Sequence, residues 1–254
     1  MSNFSTIFWV LAGGFLPAIL WLIFWLREDA LNPESNFMIL KTFLAGSLAV
    51  ILVLPLEKIV DNYFPGMGFA PFILWAILEE GLKFLVAYFV ALRTRADDDP
   101  IDPMIYMITA ALGFAALENV LFIINALCDH NNFCMTIITP NGIMNGVLMG
   151  NMRFIGSSLL HTVSSATIGV ALAFNFYKSK TKKIIWTSLA FILAVILHSV
   201  FNLYIKNQND LGTFLTFGTV WAGITILMLM FEKVKNMNLQ SIDQISTDDT
   251  FPQN

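Results

Sequence analysis

The sequence predicts an all-α fold, a polytopic bundle of about seven transmembrane helices. Of its 254 residues, 57% are hydrophobic and only 13% are charged, and the mean hydropathy is +0.70. A soluble domain needs more charged surface than this, whereas a run of about 20 apolar residues is long enough to cross a bilayer as a helix. The sequence has no basic patch, so it predicts the lipid bilayer and not nucleic acid as its surroundings.

Seven apolar segments supply the predicted helices, and the fifth is long enough to hide an eighth span. The first has no positively charged flank before it and no small-residue cleavage site after it, which favours a retained span over a signal peptide. Residues 1–237 are therefore interpreted as one membrane domain, and the polar, aperiodic residues 238–254 as a disordered cytoplasmic tail. The segments are 4–26, 36–56, 70–92, 104–127, 144–176, 184–206 and 211–232.

Positive charge falls at every second boundary between these segments. Because cytoplasmic loops carry an excess of Lys and Arg, this alternation predicts an N-terminus outside and a C-terminus in the cytoplasm. Cys128 and Cys134 then share an outside loop, where they either form a disulfide or remain free thiols. Lys58 and Lys206 do not fit the alternation. The residues that define it are Arg27, Arg93, Arg95, Lys178, Lys180, Lys182, Lys183, Lys233 and Lys235.

Four of the segments carry polar side chains that a membrane span normally lacks. An ionisable group at bilayer depth costs at least a few kcal/mol unless it is paired or faces a wet cavity, so such residues predict a functional site. A lone intramembrane His or Asn more often joins two helices by a hydrogen bond, and the basic residues are most simply charge partners of the acids. The set is Glu79, Glu80 and Lys83; Glu118 and Asn119; Arg153 and His161; and His198 and Asn202.

These residues are expected to lie at similar depths below the outer membrane surface. At a rise of ~1.5 Å per residue, Glu79 lies about 14 Å below the outer end of the third span. Glu118 and His198, on spans that run the opposite way, lie roughly 12–14 Å below the same surface, and His161 is also near mid-span. The sequence therefore predicts that acids and imidazoles from four helices meet at one level, somewhat nearer the outside.

The motifs in these segments resemble those of the PrsW family of intramembrane proteases. The segment EEGLK (79–83) resembles the family's EExxK motif, and FAALEN (114–119) its FxxxEN motif. Arg153 with His161, and His198 with Asn202, are similar to its two later motifs, and the four follow in family order over roughly residues 70–205. In the related CAAX prenyl endopeptidases the position of Glu118 is a His, so the Glu favours the PrsW branch.

The resemblance implies a location and a substrate. We expect a multi-pass protein of the bacterial cell membrane that cleaves a single-span anti-sigma factor on its extracytoplasmic side. A proton-coupled transporter and a non-catalytic scaffold are the alternatives. Broken helices and paired half-repeats would favour a transporter, and the sequence shows neither. The scaffold member of the wider superfamily lacks the paired Glu that this chain has. The oligomeric state is left open.

The expected chemistry is peptide hydrolysis by a carboxylate-activated water, with no cofactor. Either Glu79 or Glu80 can act as general base. By analogy with the CAAX enzymes, the first takes the water and the second pairs with Lys83. His198 and Asn202 would donate to the oxyanion, and Glu118 and His161 would complete the water site. The alternative is a zinc protease that uses Glu79, Glu118, His161 and His198 as ligands, although the sequence has no HExxH.

Overall fold

The computed structural model describes residues 3–29, 32–66, 68–127, 156–206 and 210–248. All regular structure in these ranges is helical, which confirms the all-α class. A π-helical turn, Tyr88–Leu92, continues α3, and in it the Arg93 N–H donates to the carbonyl of Tyr88, five residues earlier. The helices are α1 (Asn3–Glu28), α2 (Asn36–Tyr63), α3 (Ala70–Ala87), α4 (Asp102–Leu127), α5 (Ser158–Phe174), α6 (Lys180–Lys206) and α7 (Asp210–Asp248).

Five of these helices are long and apolar enough to cross a membrane. They are α1, α2, α4, α6 and α7, whose candidate spans are Ile7–Glu28, Asn36–Tyr63, Asp102–Asn125, Lys180–Leu203 and Phe217–Met237. Helix α5 is apolar but shorter, and α3 carries Glu79, Glu80 and Lys83 within its 18 residues. These properties fit a bundle of membrane helices, and the count of seven or eight spans stays a prediction.

Helix α4 is the centre of the bundle and packs against α1, α2 and α5. Its backbone touches that of α2. A Cβ added at Gly113 would clash with the carbonyl oxygen of Phe43, and one added at Gly46 would clash with that of Ala110. The hydroxyl of Ser47 donates to the Gly113 carbonyl over 2.7 Å. Small residues allow this approach, which fixes the level of α4 relative to α2.

Helix α3 turns its charged face inward and an apolar face outward. Its neighbours are α2, α4, α5 and α6. Glu79, Glu80 and Lys83 are buried, whereas Ile77 and Leu85 are exposed, as suits contact with lipid tails. Residues three and four apart share one side of a helix, so both carboxylates can reach the lysine. The burial of α3 therefore depends on how its charges are satisfied inside the bundle.

The helices differ from the predicted segments at two ends. Helix α7 continues to Asp248, into the tail for which the sequence predicts disorder, because residues 233–248 contain no Pro or Gly to end it. Helix α2 continues to Tyr63 and so includes Glu57, which lies beyond the predicted segment 36–56. Cys128, Cys134 and Arg153, and with them the pairing of the two thiols, lie outside the described residues.

Candidate active site

The predicted polar residues of four helices meet inside the bundle. Helix α3 contributes two carboxylates and an ammonium, α4 a carboxylate, and α5 and α6 one imidazole each. All are buried except the half-buried carboxylate from α4. They are connected by hydrogen bonds or close contacts between helices, so the convergence predicted from their depths is found. The residues are Glu79, Glu80, Lys83, Glu118, His161 and His198.

Lys83 is the centre of this cluster. Its Nζ lies 3.3 Å from Oε2 of Glu79, 2.9 Å from Oε1 of Glu80 and 2.7 Å from Nδ1 of His161. An ammonium group has three protons and no lone pair, so these three acceptors satisfy it completely. The Nδ1 of His161 must then be unprotonated, and this imidazole carries its proton on Nε2.

The Nε2 proton of His161 is directed at Glu118. The two groups are 2.8 Å apart, and the hydroxyl of Ser157 also donates to the same carboxylate oxygen, over 3.4 Å. The ring of Phe114 packs beside the imidazole and lies 4.3 Å from Nζ of Lys83. A chain of donors thus runs from Lys83 through His161 to Glu118, which holds the ring in one orientation.

Glu80 is fully buried and its oxygens are already occupied. Oε1 accepts from Lys83 and from Nδ1 of His198 at 2.8 Å, and Oε2 accepts from the hydroxyl of Ser165 at 2.6 Å. Since a carboxylate only accepts, the Nδ1 of His198 carries a proton. Ser165 was missed by the sequence reasoning, although its position four residues after His161 places both on one face of α5 and could have revealed it.

Glu79 has fewer hydrogen-bond partners than Glu80. Besides Lys83, its Oε2 faces Nδ1 of His161 at 3.8 Å and Nε2 of His198 at 3.7 Å. The side chain of Glu57, from α2, lies within hydrogen-bond reach of Glu79. Sequence reasoning missed Glu57 because it placed residues 57–68 in a loop. Because α2 extends to Tyr63, Glu57 is part of this helix and lies beside the site.

The cluster contains more acid than base. Four carboxylates, Glu57, Glu79, Glu80 and Glu118, surround one ammonium, and His161 is neutral in this arrangement. A membrane interior does not tolerate several uncompensated negative charges. The excess of carboxylates is therefore balanced by additional protons or by a bound cation.

Three of the residues could hold a metal ion. Among the described residues, Glu79, His161 and His198 each offer a donor atom, and these atoms lie within 4.8 Å of one another. Two imidazoles and a carboxylate form a donor set of catalytic zinc sites, and a carboxylate behind a ligand His, as Glu80 stands behind His198, is typical of them. The donor set fits, although Lys83 already donates to Nδ1 of His161. Glu118, which sequence reasoning added as a fourth ligand, contacts the other nitrogen of that ring and is outside this group.

The two asparagines lie at the edge of the cluster. Nδ2 of Asn119 donates to the hydroxyl of Ser158 over 3.3 Å and so ties α4 to α5 beside Glu118. Asn202 is half-buried one turn beyond His198, and in the described part of the chain its side chain makes no hydrogen bond to the clustered residues. Its predicted place beside an oxyanion stays a prediction.

Known proteins are similar to this chain over most of its length. Residues 34–232 match the family described as "PrsW family intramembrane metalloprotease". Protease PrsW of Oceanobacillus iheyensis is 25% identical over 82% of this chain and 87% of its own length. Protease PrsW of Geobacillus kaustophilus is 26% identical over 82% of this chain and 84% of its own length. That of Bacillus subtilis is 26% identical over 58% of this chain and 70% of its own length. No solved structure matches the chain.

The match covers α2 to α6 and most of α7, and so every helix that contributes to the cluster. The resemblance first carried by EEGLK and FAALEN is thereby confirmed over most of the chain. With its apolar helices, the molecule is a multi-pass membrane protein, and it belongs to the PrsW family of intramembrane proteases.

Proposed function

We propose that this chain hydrolyses a peptide bond of a single-span membrane protein with a water molecule activated by Glu79. The observation that carries this assignment is the difference between the carboxylates. Both oxygens of Glu80 are engaged by Lys83, His198 and Ser165. Oε2 of Glu79 has one hydrogen bond, from Lys83 at 3.3 Å, and faces two imidazoles. A general base needs an oxygen that can accept a proton, and Glu79 fits that role better.

The proposed step moves one proton in each direction. Glu79 takes a proton from water, and the resulting hydroxide attacks the scissile carbonyl carbon. Collapse of the tetrahedral intermediate breaks the C–N bond and gives a new carboxyl terminus. The leaving nitrogen takes a proton from the same site, by way of Nε2 of His198, which faces Glu79 at 3.7 Å. Lys83 donates to both Glu79 and Glu80 and so offsets part of their negative charge, and Glu118 holds His161 in position.

The role of His198 differs here from the expected one. Its Nδ1 proton is donated to Glu80, so the neutral ring presents a lone pair on Nε2 and can donate from that atom only as imidazolium. We therefore assign His198 to proton transfer in the proposal. Oxyanion stabilisation stays with Asn202, whose position one turn away permits it.

The proposed substrate is a single-span anti-sigma factor, cleaved near the extracytoplasmic face of a bacterial cell membrane. Three relatives named Protease PrsW support a proteolytic role, and the depth of the cluster below the predicted outer surface suits this side. The orientation with the N-terminus outside follows from the Lys and Arg loops. No observation on the described residues favours a transporter or a scaffold.

The test is cleavage by the purified protein in lipid. A panel of single-span peptides would be incubated with the wild type and with the double variant E79Q/E80Q, and products identified by mass spectrometry. Cleavage by the wild type alone would support the proposal. A double variant that inserts, folds and cleaves at the normal rate would show that the proposed chemistry is wrong.

The metalloprotease is the second candidate, favoured by the donor set of Glu79, His161 and His198. A zinc ion held by these residues would polarise the carbonyl and make bound water acidic near neutral pH. In that case Glu80 would orient His198 as a ligand, and Lys83 would have to release Nδ1 of His161. The two candidates differ in one measurable property, the need for metal.

A further inference from the structure

A groove lies beside the C-terminal end of α3 and shares no lining residue with the catalytic cluster. It has a volume of about 410 Å³ and runs between α3 with its π-helical turn, α5 and the start of α6. Aromatic and aliphatic side chains form its walls, among them Phe84, Tyr88 and Phe176. The proposed hydrolytic chemistry uses none of its residues.

Along the membrane normal, the groove is lined by charged residues at one end and by mainly apolar residues towards the other. One end is at the membrane boundary, where Asp97 follows the π-helical turn and Lys180 begins α6. The other end reaches Phe84 and Thr187, which lies seven residues into α6 or roughly 10 Å along the helix axis. Charged groups thus lie at headgroup level and apolar groups beside the hydrocarbon, the same order as in a phospholipid.

The polar residues of the groove are not fully satisfied within the bundle. The hydroxyl oxygen of Thr187 and Oδ1 of Asp97 are buried without a hydrogen-bond partner in the described ranges. Buried polar atoms normally have partners, so each of these points to a bound group that supplies one. A phospholipid has ester and headgroup oxygens at both levels.

Among the side chains that line the groove, two are lysines and one is a carboxylate. Lys180 is exposed and Lys183 half-buried, with its Nζ 5.0 Å from the centre of the Phe176 ring. Burial raises the pKa of Asp97 to about 7, against the opposing effect of Lys183, so this carboxyl cancels at most one of the two ammonium charges. A ligand with one negative charge balances the remainder.

We propose that this groove binds one anionic phospholipid of the adjoining leaflet. Its phosphate lies between Lys180 and Lys183, a headgroup hydroxyl contacts Asp97, an ester oxygen accepts from Thr187, and the acyl chains lie along Phe84 and Tyr88. Basic pockets between transmembrane helices are a known means of binding lipid headgroups. A phosphatidylglycerol has the required single charge and free hydroxyls.

The test is a lipid titration of the delipidated full chain in detergent micelles, followed by native mass spectrometry. Phosphatidylglycerol is expected to bind the wild type at one site at least tenfold more tightly than phosphatidylcholine, because both have a phosphate but the choline cation of the latter cancels its charge and is repelled by the two ammonium groups. K180Q/K183Q should lose that preference. The matched control K178Q/K182Q removes the same charge from two exposed positions on either side of Lys180 that do not line the groove, and this variant should keep the preference.

Two further variants keep the test decisive if the double lysine variant folds poorly. T187V removes only the hydroxyl and should weaken phosphatidylglycerol binding several-fold. S188W fills the groove without changing charge and should abolish the tight site, with helical content by circular dichroism as the check on folding. Equal binding of both lipids by the wild type would overturn the proposal. Phosphatidylglycerol binding unchanged in S188W would overturn it as well.

Discussion

Nζ of Lys83 lies closer to Nδ1 of His161, at 2.7 Å, than to either carboxylate of its own helix. This contact fixes the tautomer of an imidazole on another helix and directs its remaining proton to Glu118. One lysine therefore contacts both members of the paired Glu and orients a second part of the site. The cluster is ordered before any substrate arrives, which reduces the reorganisation that hydrolysis requires.

Glu79→Gln should abolish activity without unfolding the protein. The substitution keeps size and hydrogen bonding but removes the base, so turnover of a cleaved peptide should fall by about 10²-fold or more. The variant should keep a normal thermal midpoint in detergent, because the carboxylate of Glu79 accepts from Lys83 at 3.3 Å and otherwise lies beside Glu57, whereas that of Glu80 accepts from three donors. Steady-state cleavage rates and thermal unfolding of the same preparation would be measured.

Glu80→Gln should have the opposite effect and lower the stability of the protein, because Glu80 is not the proposed base. Its carboxylate accepts from Lys83, His198 and Ser165 while fully buried, so the change leaves Lys83 with one fewer counter-charge. We expect lower expression and a lower thermal midpoint. If Glu80→Gln is as stable as the wild type while Glu79→Gln is unstable, the two roles are reversed.

Ser165→Ala tests the hydrogen bond that the Ser165 hydroxyl donates to Glu80. A hydrogen bond to a charged group contributes about 1.5–3 kcal/mol, so the thermal midpoint should fall by several degrees, and the pH–rate profile should shift because Glu80 loses a donor. Ser164→Ala is the matched control. Ser164 is equally buried, but its hydroxyl donates to the carbonyl of Leu160 in its own helix. Identical pH profiles for the two variants would contradict a positioning role for Ser165.

The proposed glutamate chemistry predicts activity after exhaustive chelation. Purified protein should contain less than stoichiometric zinc by elemental analysis and should keep its cleavage rate in chelator. A loss on chelation that zinc restores would favour the second candidate. His198→Ala would then lower zinc content as well as rate, whereas under the first candidate it lowers rate alone.

Asp29→Asn should stabilise the protein at neutral and alkaline pH. Burial raises the pKa of Asp29 to about 7 from 3.8; a backbone hydrogen bond from Glu34 opposes this rise, and the negative charges of Glu34 and Asp99 add to it. Between these two pH values the unfolded chain releases the proton and the folded chain keeps it, so wild-type stability falls as pH rises from about 4 to 7. The variant should unfold several degrees higher at pH 8 and nearly equally at pH 4. The exposed Asp98→Asn provides the control.

The charge alternation of the loops gives a topology prediction. A reporter that is active only outside the cytoplasm should work when fused after Asn132 and fail when fused after Lys180. The reverse pattern would invert the proposed orientation. It would also place the cluster nearer the cytoplasmic face and remove one support for an extracytoplasmic cleavage site.

The sequence predicted most of the cluster because intramembrane charge is rare and its depth can be counted along a helix. Glu79, Glu118, His161 and His198 were all found in this way. Ser165 escapes this reasoning because a serine in a membrane helix is usually a packing residue, and Glu57 escapes it because α2 continues beyond the apolar run. Hydrogen-bond partners and tautomers could not be predicted, since they depend on side-chain geometry between helices that sequence spacing does not contain.

The π-helical turn at Tyr88–Leu92 has a consequence for changes in chain length. An α-helix that gains or loses one residue rotates everything beyond that point by about 100°, unless a π-helical turn takes up the change. Between Glu79 and Ala87 such an insertion or deletion would turn Lys83 or its neighbours out of register. An insertion or deletion at Tyr88–Leu92 would leave the charged face of α3 in place and alter only the approach to the next loop. We therefore expect related sequences to tolerate gaps at this turn and not in the rest of α3.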